Sequence, residues 1–202
     1  MPNPYTIIDA INQVVETVGE FPTTTQPSAS NDTTSIYARA EQFLDRARYQ
    51  VLSLGWPENT EMSRPFVAAS SRISMTGILS IQAAGPDQYR NLVIRKDGTG
   101  PAVYDANTRG FVSTGTVYLD AVLLLNWDDL PLKLADVVVS KAKLLFQRRI
   151  QNGQLPDQQL QQEYIQSEMA VDRNEAKESM LPPNTRQNMP PQASGGQQQQ
   201  GG

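Results

Sequence analysis

Two residue types are missing from the sequence: none of its 202 residues is a cysteine or a histidine. Without cysteine there are no disulfides, no thiolate metal sites and no cysteine nucleophiles. Without histidine the commonest general base and the commonest zinc ligand are gone. Together these absences exclude zinc fingers, histidine-based catalytic triads and most transition-metal enzymes, and no cofactor or metal ion is expected.

The sequence also lacks the features of a targeting or membrane-spanning segment. The opening residues MPNPYT carry neither the positive charge nor the apolar core of a signal peptide. No apolar run approaches the ~18 residues that a membrane helix needs. A soluble protein made in a cytoplasm is therefore expected.

Positive charge is scarce in the first part of the chain. The formal net charge is −4, and residues 1–35 hold four acids and no lysine or arginine, whereas 121–153 hold five bases against three acids. Nucleic-acid readers normally present a concentrated basic face. Here only Lys141 and Arg148 share one face of a predicted helix, so sequence-specific DNA binding is not expected.

Two helices are predicted before residue 55. Thr6 and Asp9 form a capping-box pattern, and the helical spacing of apolar residues that follows ends at Gly19. Residues 22–34 are rich in Ser and Thr and predict a loop. A second helix is predicted from about 34 to 54.

Between residues 62 and 126 the hydrophobic period changes from 3.6 toward 2, which predicts strands. Asp97-Gly98 and the stretch DANTRG (105–110) supply turn chemistry between them. This region predicts one small antiparallel sheet inserted between helices. The predicted strands centre on 78–81, 92–94, 102–104 and 117–125.

The stretch WDDLPLKLADVVVSKAKLLFQRRIQNG, residues 127–153, predicts a single helix of about six turns, the third in the chain. Most of its circumference is apolar, so either its own chain or another chain must cover it. A more polar fourth helix is predicted over 157–179. After Leu181 the sequence is rich in Gly, Pro and Gln, and such a tail orders only on a partner, if at all.

These elements predict an α+β fold: a four-helix bundle with a small antiparallel β domain inserted between helices two and three, and a disordered or partner-ordered C-terminal tail. The predicted boundaries are 1–60 for the first two helices, 61–126 for the β insertion, 127–180 for helices three and four, and 181–202 for the tail.

No catalytic site is predicted. Asp128 and Asp129 are adjacent carboxylates, but they are better explained as acids at a helix start. Glu16 and Glu20 are four residues apart on the first helix and favour a solvated acidic edge. The GTG at 98–100 lies in a predicted hairpin turn and not between a strand and a helix, so it is not a phosphate loop.

Four stretches carry a resemblance to a known family: INQVVETVGEFP, ARYQVLSLGW, GPAVYDANTRGFV and WDDLPLKLADVVVSKAKLLFQRR. In their order and spacing, over roughly residues 5–180, the sequence resembles tail tubular protein A, the head–tail adaptor of short-tailed bacteriophages. The resemblance implies a structural virion protein of the neck and tail. It implies a dodecameric ring between the portal protein and the tail nozzle protein. Such a ring completes the channel for genome DNA and helps to retain the packaged genome.

If one apolar face of the third helix packs within its own chain, the other is free for an adjacent subunit or the portal. The blander explanation is that this helix is the centre of its own bundle. Other classes stay open: a monomeric helical protein-binding module, or a glycan hydrolase that uses a carboxylate pair. The candidate interface residues are Val138, Ala142, Leu145, Arg148, Arg149, Leu160, Tyr164, Val171, Leu181 and Arg186.

Overall fold

The computed structural model describes residues 5–28, 33–69, 72–150 and 158–179, with side chains in the last range as far as Val171. The chain is α+β, with four α-helices and six strands in this part. The helices are α1 (Ile7–Glu16), α2 (Ile36–Leu52), α3 (Leu132–Ile150) and α4 (Gln158–Ser179). The strands are β1 (Thr60–Val67), β2 (Ile78–Ala83), β3 (Leu92–Asp97), β4 (Gly100–Asp105), β5 (Gly110–Phe111) and β6 (Thr116–Leu123).

The first helix begins at the predicted capping box. Thr6 Oγ1 accepts a hydrogen bond from the Asp9 amide at 3.2 Å, and Asp9 Oδ2 accepts one from the Thr6 amide at 3.0 Å. This exchange satisfies two amides that the first turn leaves without helical partners. The hydrogen bonds also hold the pKa of Asp9 below its usual value. The prediction of the capping box is confirmed.

The single helix predicted over 127–153 is wrong at its start. Trp127–Asp129 form a separate 3-10 turn, and α3 begins only at Leu132. Leu130 between them is extended, with φ −68° and ψ 130°. The physical reason is Pro131, whose ring disfavours helical geometry in the preceding residue. Pro131 itself is tolerated there, and its carbonyl accepts the amide of Ala135.

The β region is not the single inserted sheet that was predicted. It consists of two three-stranded antiparallel sheets, in the orders β1-β6-β2 and β3-β4-β5. Their facing sides share a separate apolar core, in which Val103 and Leu119 are fully buried. The predicted turn at Asp97-Gly98 does join β3 to β4, and the DANTRG turn joins β4 to β5.

The prediction of a four-helix bundle is also wrong. α3 packs against all three other helices and α1 packs against α2, whereas the main packing partner of α4 is α3. α4 does not enter a bundle on two sides, since Leu160, Tyr164 and Val171 follow one edge while Ile165 and Met169 are about half exposed. The helices therefore form a three-helix core with α4 laid along α3.

The helical core covers α3 with its own chain. Nine side chains of α3 are buried, among them Phe146, whose ring meets that of Phe43 edge-on with centroids 5.8 Å apart. Trp127 also lies in this core, and its Nε1 donates to the Tyr5 carbonyl at 3.0 Å. The apolar circumference of α3 is thus covered within one chain.

Asn59 joins the helical core to the sheets. Its side chain is 1% exposed, and Nδ2 donates to the carbonyls of Leu52, at the end of α2, and Leu123, at the end of β6, at 2.9 and 2.8 Å. Within the described ranges, no helix is both long enough and apolar enough to cross a membrane. The domain boundaries at 60, 126 and 180 stay predictions.

Candidate assembly surface

The structure separates the predicted interface residues by depth. Val138 and Ala142 are fully buried inside the chain, and Val171 is 1% exposed. A neighbouring subunit reaches these three side chains only if the helices part. The accessible candidates are the half-buried Leu145, Leu160 and Tyr164 and the exposed Arg148 and Arg149. Leu181 and Arg186 lie outside the described residues, and the interface role of all ten residues stays a prediction.

Three of these positions, Leu145, Arg148 and Tyr164, line a groove between α3 and α4, here called the α3–α4 groove. It has a volume of about 230 Å³. Its floor is apolar, and two bases but no acid are among its lining residues. The groove is lined by Lys141, Leu144, Leu145, Arg148, Gln161, Tyr164 and Ile165.

Tyr164 fixes one wall of the α3–α4 groove. Lys141 Nζ lies 4.4 Å from the centre of the Tyr164 ring and donates to its hydroxyl at 3.3 Å. That hydroxyl in turn donates to Glu168 Oε1 at 3.0 Å. Burial, together with the adjacent carboxylate, raises the pKa of Tyr164 to about 12, so the phenol keeps its proton at neutral pH. Lys141 thus places a positive charge on this wall, next to the carboxylate of Glu168.

A second groove lies on the other side of α4, where α1 also contributes. It has a volume of about 380 Å³ and is lined by Gln13, Asp136, Lys143 and Glu163, among others. Burial raises the pKa of Asp136, while the charge of Lys143 opposes the rise. This groove is polar and of mixed charge. α1 borders this groove and not the α3–α4 groove.

The end of α1 presents an exposed aromatic ring that the sequence analysis missed. Phe21 is 83% exposed, and the nearby Glu16 and Glu20 are also exposed. These three residues are here called the acidic knob. A signal was present in the sequence, because Phe21 stands between the helix-stopping Gly19 and Pro22, where no helical face can bury it.

Another exposed apolar site lies on the β1-β6-β2 sheet. Met62 is 72% exposed and Tyr89 is 87% exposed, and both border an open hollow of about 500 Å³. A bulge in β1 turns Met62 outward. Within it Ser63 adopts a φ of +50°, and its amide donates to Asp120 Oδ1 at 2.7 Å. Bulges often re-aim side chains in this way.

The carboxylates considered as catalytic candidates are not brought together. Asp128 and Asp129 are exposed in the 3-10 turn before α3, and Glu16 and Glu20 lie at the end of α1. In the ranges that the structure describes, no group of three or more acids is placed to hold a metal ion. The GTG turn is a hairpin in which Thr99 donates to Asp97 Oδ1.

In the described ranges the structure shows an α+β protein whose exposed features are grooves and apolar or charged surface patches. A family model described as tail tubular protein matches residues 8–181, so the chain belongs to the tail tubular protein family of short-tailed phages. A search of curated proteins finds no match. Membership makes the chain a structural component of the phage tail that assembles with other virion proteins.

Proposed function

We propose that the protein is the head–tail adaptor of a short-tailed phage, a ring of identical subunits, expected to be a dodecamer. The ring sits between the portal protein and the tail nozzle protein and completes the channel for DNA ejection. The observation that carries this proposal is the family match over 8–181. The match spans both the helical core and the two sheets, and so covers the described fold from residue 8 onward.

The surface chemistry of the subunit supports ring assembly. A closed ring needs two different patches on each subunit that fit each other, because its contacts are head to tail. The described surface offers such different patches in the basic α3–α4 groove and in the acidic knob. A self-complementary patch would instead favour a two-fold dimer.

The charge balance supports a conduit through which DNA slides. The chain has a formal net charge of −4. A strongly basic lumen would hold phosphates and release counterions on binding, which slows passage. In the proposed ring the genome passes without sequence-specific contacts, and the assembled neck helps to retain it until ejection.

Light scattering tests the ring directly. The molar mass of the purified full-length chain is measured over a concentration series, and the largest species is imaged by negative stain. Closed rings of one fixed mass are expected. If the chain stays monomeric, the same measurement is repeated with the portal ring added, since a portal can template the adaptor. A chain that forms no ring in either case is not an adaptor of this kind.

One observation favours a second candidate, a monomeric protein-binding module. α3 is covered by α1, α2 and α4 of its own chain, so its apolar surface does not itself require a sister subunit. The module would bind a single partner with one-to-one stoichiometry. Mass measurements of the complex with the portal distinguish the adaptor from the binding module. The adaptor is expected to form a complete ring bound to the portal ring.

The C-terminal residues give the portal contact a separate test. Residues 182–202 contain eight Gly or Pro and a single charged side chain, a composition that favours ordering on a partner. Deleting them is expected to leave the thermal unfolding transition unchanged and to weaken attachment to the portal. A Gly/Ser segment of equal length is the control for mere chain length. If both variants attach to the portal as well as the wild type does, the proposed docking role of residues 182–202 is wrong.

A further inference from the structure

We propose that the acidic knob of one subunit inserts Phe21 into the α3–α4 groove of the next subunit. The inference rests on the proposed ring and names the contact that closes it. Its occupant is a second copy of this chain. Four observations support it: the fixed exposed ring, the size of the groove, the opposite charges of the two patches, and their placement about α4.

Hydrogen bonds hold the backbone around the acidic knob, while the Phe21 ring is exposed to water. Gly19, at φ +81°, lies in the turn after α1, and the Glu20 amide donates to the Val15 carbonyl at 3.3 Å. The Tyr37 hydroxyl donates to the Phe21 carbonyl at 3.0 Å. Just beyond, Asn12 and Thr23 exchange two hydrogen bonds, of 2.8 and 3.0 Å.

A large apolar side chain on such a fixed loop is poorly explained in an isolated subunit. The segment around Phe21 is held by these four hydrogen bonds, yet the ring itself is 83% exposed. Burying an aromatic ring is among the largest gains available at an interface, and a preorganised ring loses little entropy on binding. Rigid exposed aromatics of this kind are typical binding hot spots.

The groove has the size and lining that an aromatic ring needs. Its volume is about 230 Å³. An apolar cavity of about 150 Å³ suffices for one benzene molecule. Leu145 is only partly buried, and Ile165 on α4 is 47% exposed. These side chains would lose water when a ring enters.

The charges of the two patches are opposite. Lys141 and Arg148 line the groove, and Arg148 is exposed and forms no ion pair with a residue in the described ranges. The exposed Glu16 and Glu20 precede Phe21 in the chain, and the first 35 residues carry no lysine or arginine. Complementary charge around an apolar anchor sets the register of a contact and speeds encounter.

The placement of the patches suits a head-to-tail contact. α4 has one groove on each side, and α1 borders only the polar one, through Gln13. On α3, Lys143 faces the polar groove and Lys141 faces the α3–α4 groove. Two residues of a helix that are two positions apart differ by about 200° in direction. No residue of the knob lines the α3–α4 groove, so the two patches are separate surfaces of one subunit, as a repeating contact requires.

Cross-linking tests the contact on a chain that has no cysteine of its own. A Glu20→Cys, Arg148→Cys double variant is treated with a short bismaleimide at concentrations where the wild type forms rings. A ladder of covalent oligomers ending in one closed species is expected. The control pair is Tyr89→Cys with Arg148→Cys, because Tyr89 is 87% exposed in the turn before β3. The control pair is expected to give little product.

Charge reversal gives a second, independent measurement. Arg148→Glu alone and Glu20→Arg alone are each expected to weaken ring formation about tenfold or more, and the double variant E20R/R148E is expected to restore it. Both residues are exposed, so the far-ultraviolet circular dichroism should not change. Leu132→Glu, an exposed apolar site at the start of α3, is the control and should assemble normally.

The outcomes separate this inference from the proposed function. Rings that persist in both single variants, with no 20–148 cross-link between chains, overturn the inference and leave the adaptor in place. If the wild type forms no ring with or without portal, and the Glu20→Cys, Arg148→Cys variant gives no cross-link, both are overturned. If deleting residues 182–202 exposes Arg148→Cys to a thiol reagent while Glu20→Arg does not, the chain's own tail fills the groove, which also overturns the inference.

Discussion

Arg90 donates two hydrogen bonds to the buried carboxylate of Asp105, from Nε at 3.2 Å and from Nη2 at 3.0 Å to Oδ2. Its third nitrogen, Nη1, donates to Asp87 Oδ1 at 3.1 Å. Asp105 ends β4, and Asp87 Oδ2 accepts the amide of Tyr118 in β6 at 2.9 Å. One guanidinium therefore joins the two sheets, so they hold a fixed relative position.

Replacing Arg90 by methionine is expected to destabilise the protein by about 2–4 kcal/mol. Breaking a buried ion pair costs about 3–5 kcal/mol, and the partial exposure of Arg90 lowers that figure. The Met side chain keeps most of the apolar stem, so the loss is that of the charge. Urea unfolding followed by circular dichroism measures the change. Arg46→Met, at an exposed position on α2, is the control and should stay within about 0.5 kcal/mol of the wild type.

The Arg90–Asp105 ion pair also predicts that the stability of the protein depends on pH. Hydrogen bonds from Arg90 lower the pKa of Asp105, although burial opposes the shift. For an acid with a lowered folded pKa, the stabilisation is present above the unfolded value of about 3.9 and is lost as the pH falls through the folded pKa. The free energies of unfolding of the wild type and of Asp105→Asn are compared from pH 6 to pH 2.5. Their difference is expected to narrow below about pH 4, and a constant difference would contradict the assigned cause.

Local chemistry explains which elements were predictable. The capping box at Thr6, the stop at Gly19 and the Asp97-Gly98 turn depend on neighbours within a few residues, so the sequence alone identifies them. β1 was missed because Pro65 and the bulge at Ser63 interrupt its alternation, and only pairing with β6 makes it a strand.

The candidate surface was harder to predict, because it depends on which helices become neighbours. The periodicity of α3 marks the buried Val138 and the groove residue Leu145 alike as apolar. Only the position of α4 separates them. Arg148 was recognised as an interface candidate, whereas Phe21 was not, since its exposure follows from the loop that carries it and not from its residue type.

Truncating two neighbouring side chains of α3 is expected to lower the free energy of unfolding by unequal amounts. Phe146 is fully buried against Phe43, whereas Leu145 is only partly buried at the α3–α4 groove. Phe146→Ala is expected to cost about 3–5 kcal/mol, through lost transfer energy and the cavity left behind. Leu145→Ala should cost less than half as much and act as its control. Equal losses in urea unfolding would mean that the groove is as tightly packed as the core.

Asn59 offers the sharpest test of how the helical core is tied to the sheets. Asn59→Asp keeps the size of the side chain but replaces its two-fold donor with a carboxylate. The carbonyls of Leu52 and Leu123 then lose their donor, and a charge is placed at a site only 1% exposed. Leaving buried groups unpaired costs about 1–3 kcal/mol each, and more when one is charged. A loss of about 3 kcal/mol or more is therefore expected at pH 7.

The loss at Asn59 should be smaller in acid, because a protonated carboxyl regains one donor. Burial without a cation raises the pKa of an acid, so the recovery should begin well above pH 4. Urea unfolding at pH 5 and pH 7 measures it, and Asn91→Asp, the same change at an exposed site, is the control. A loss that is equal at both pH values would mean that the carboxylate finds another donor. The junction between helices and sheets would then tolerate rearrangement.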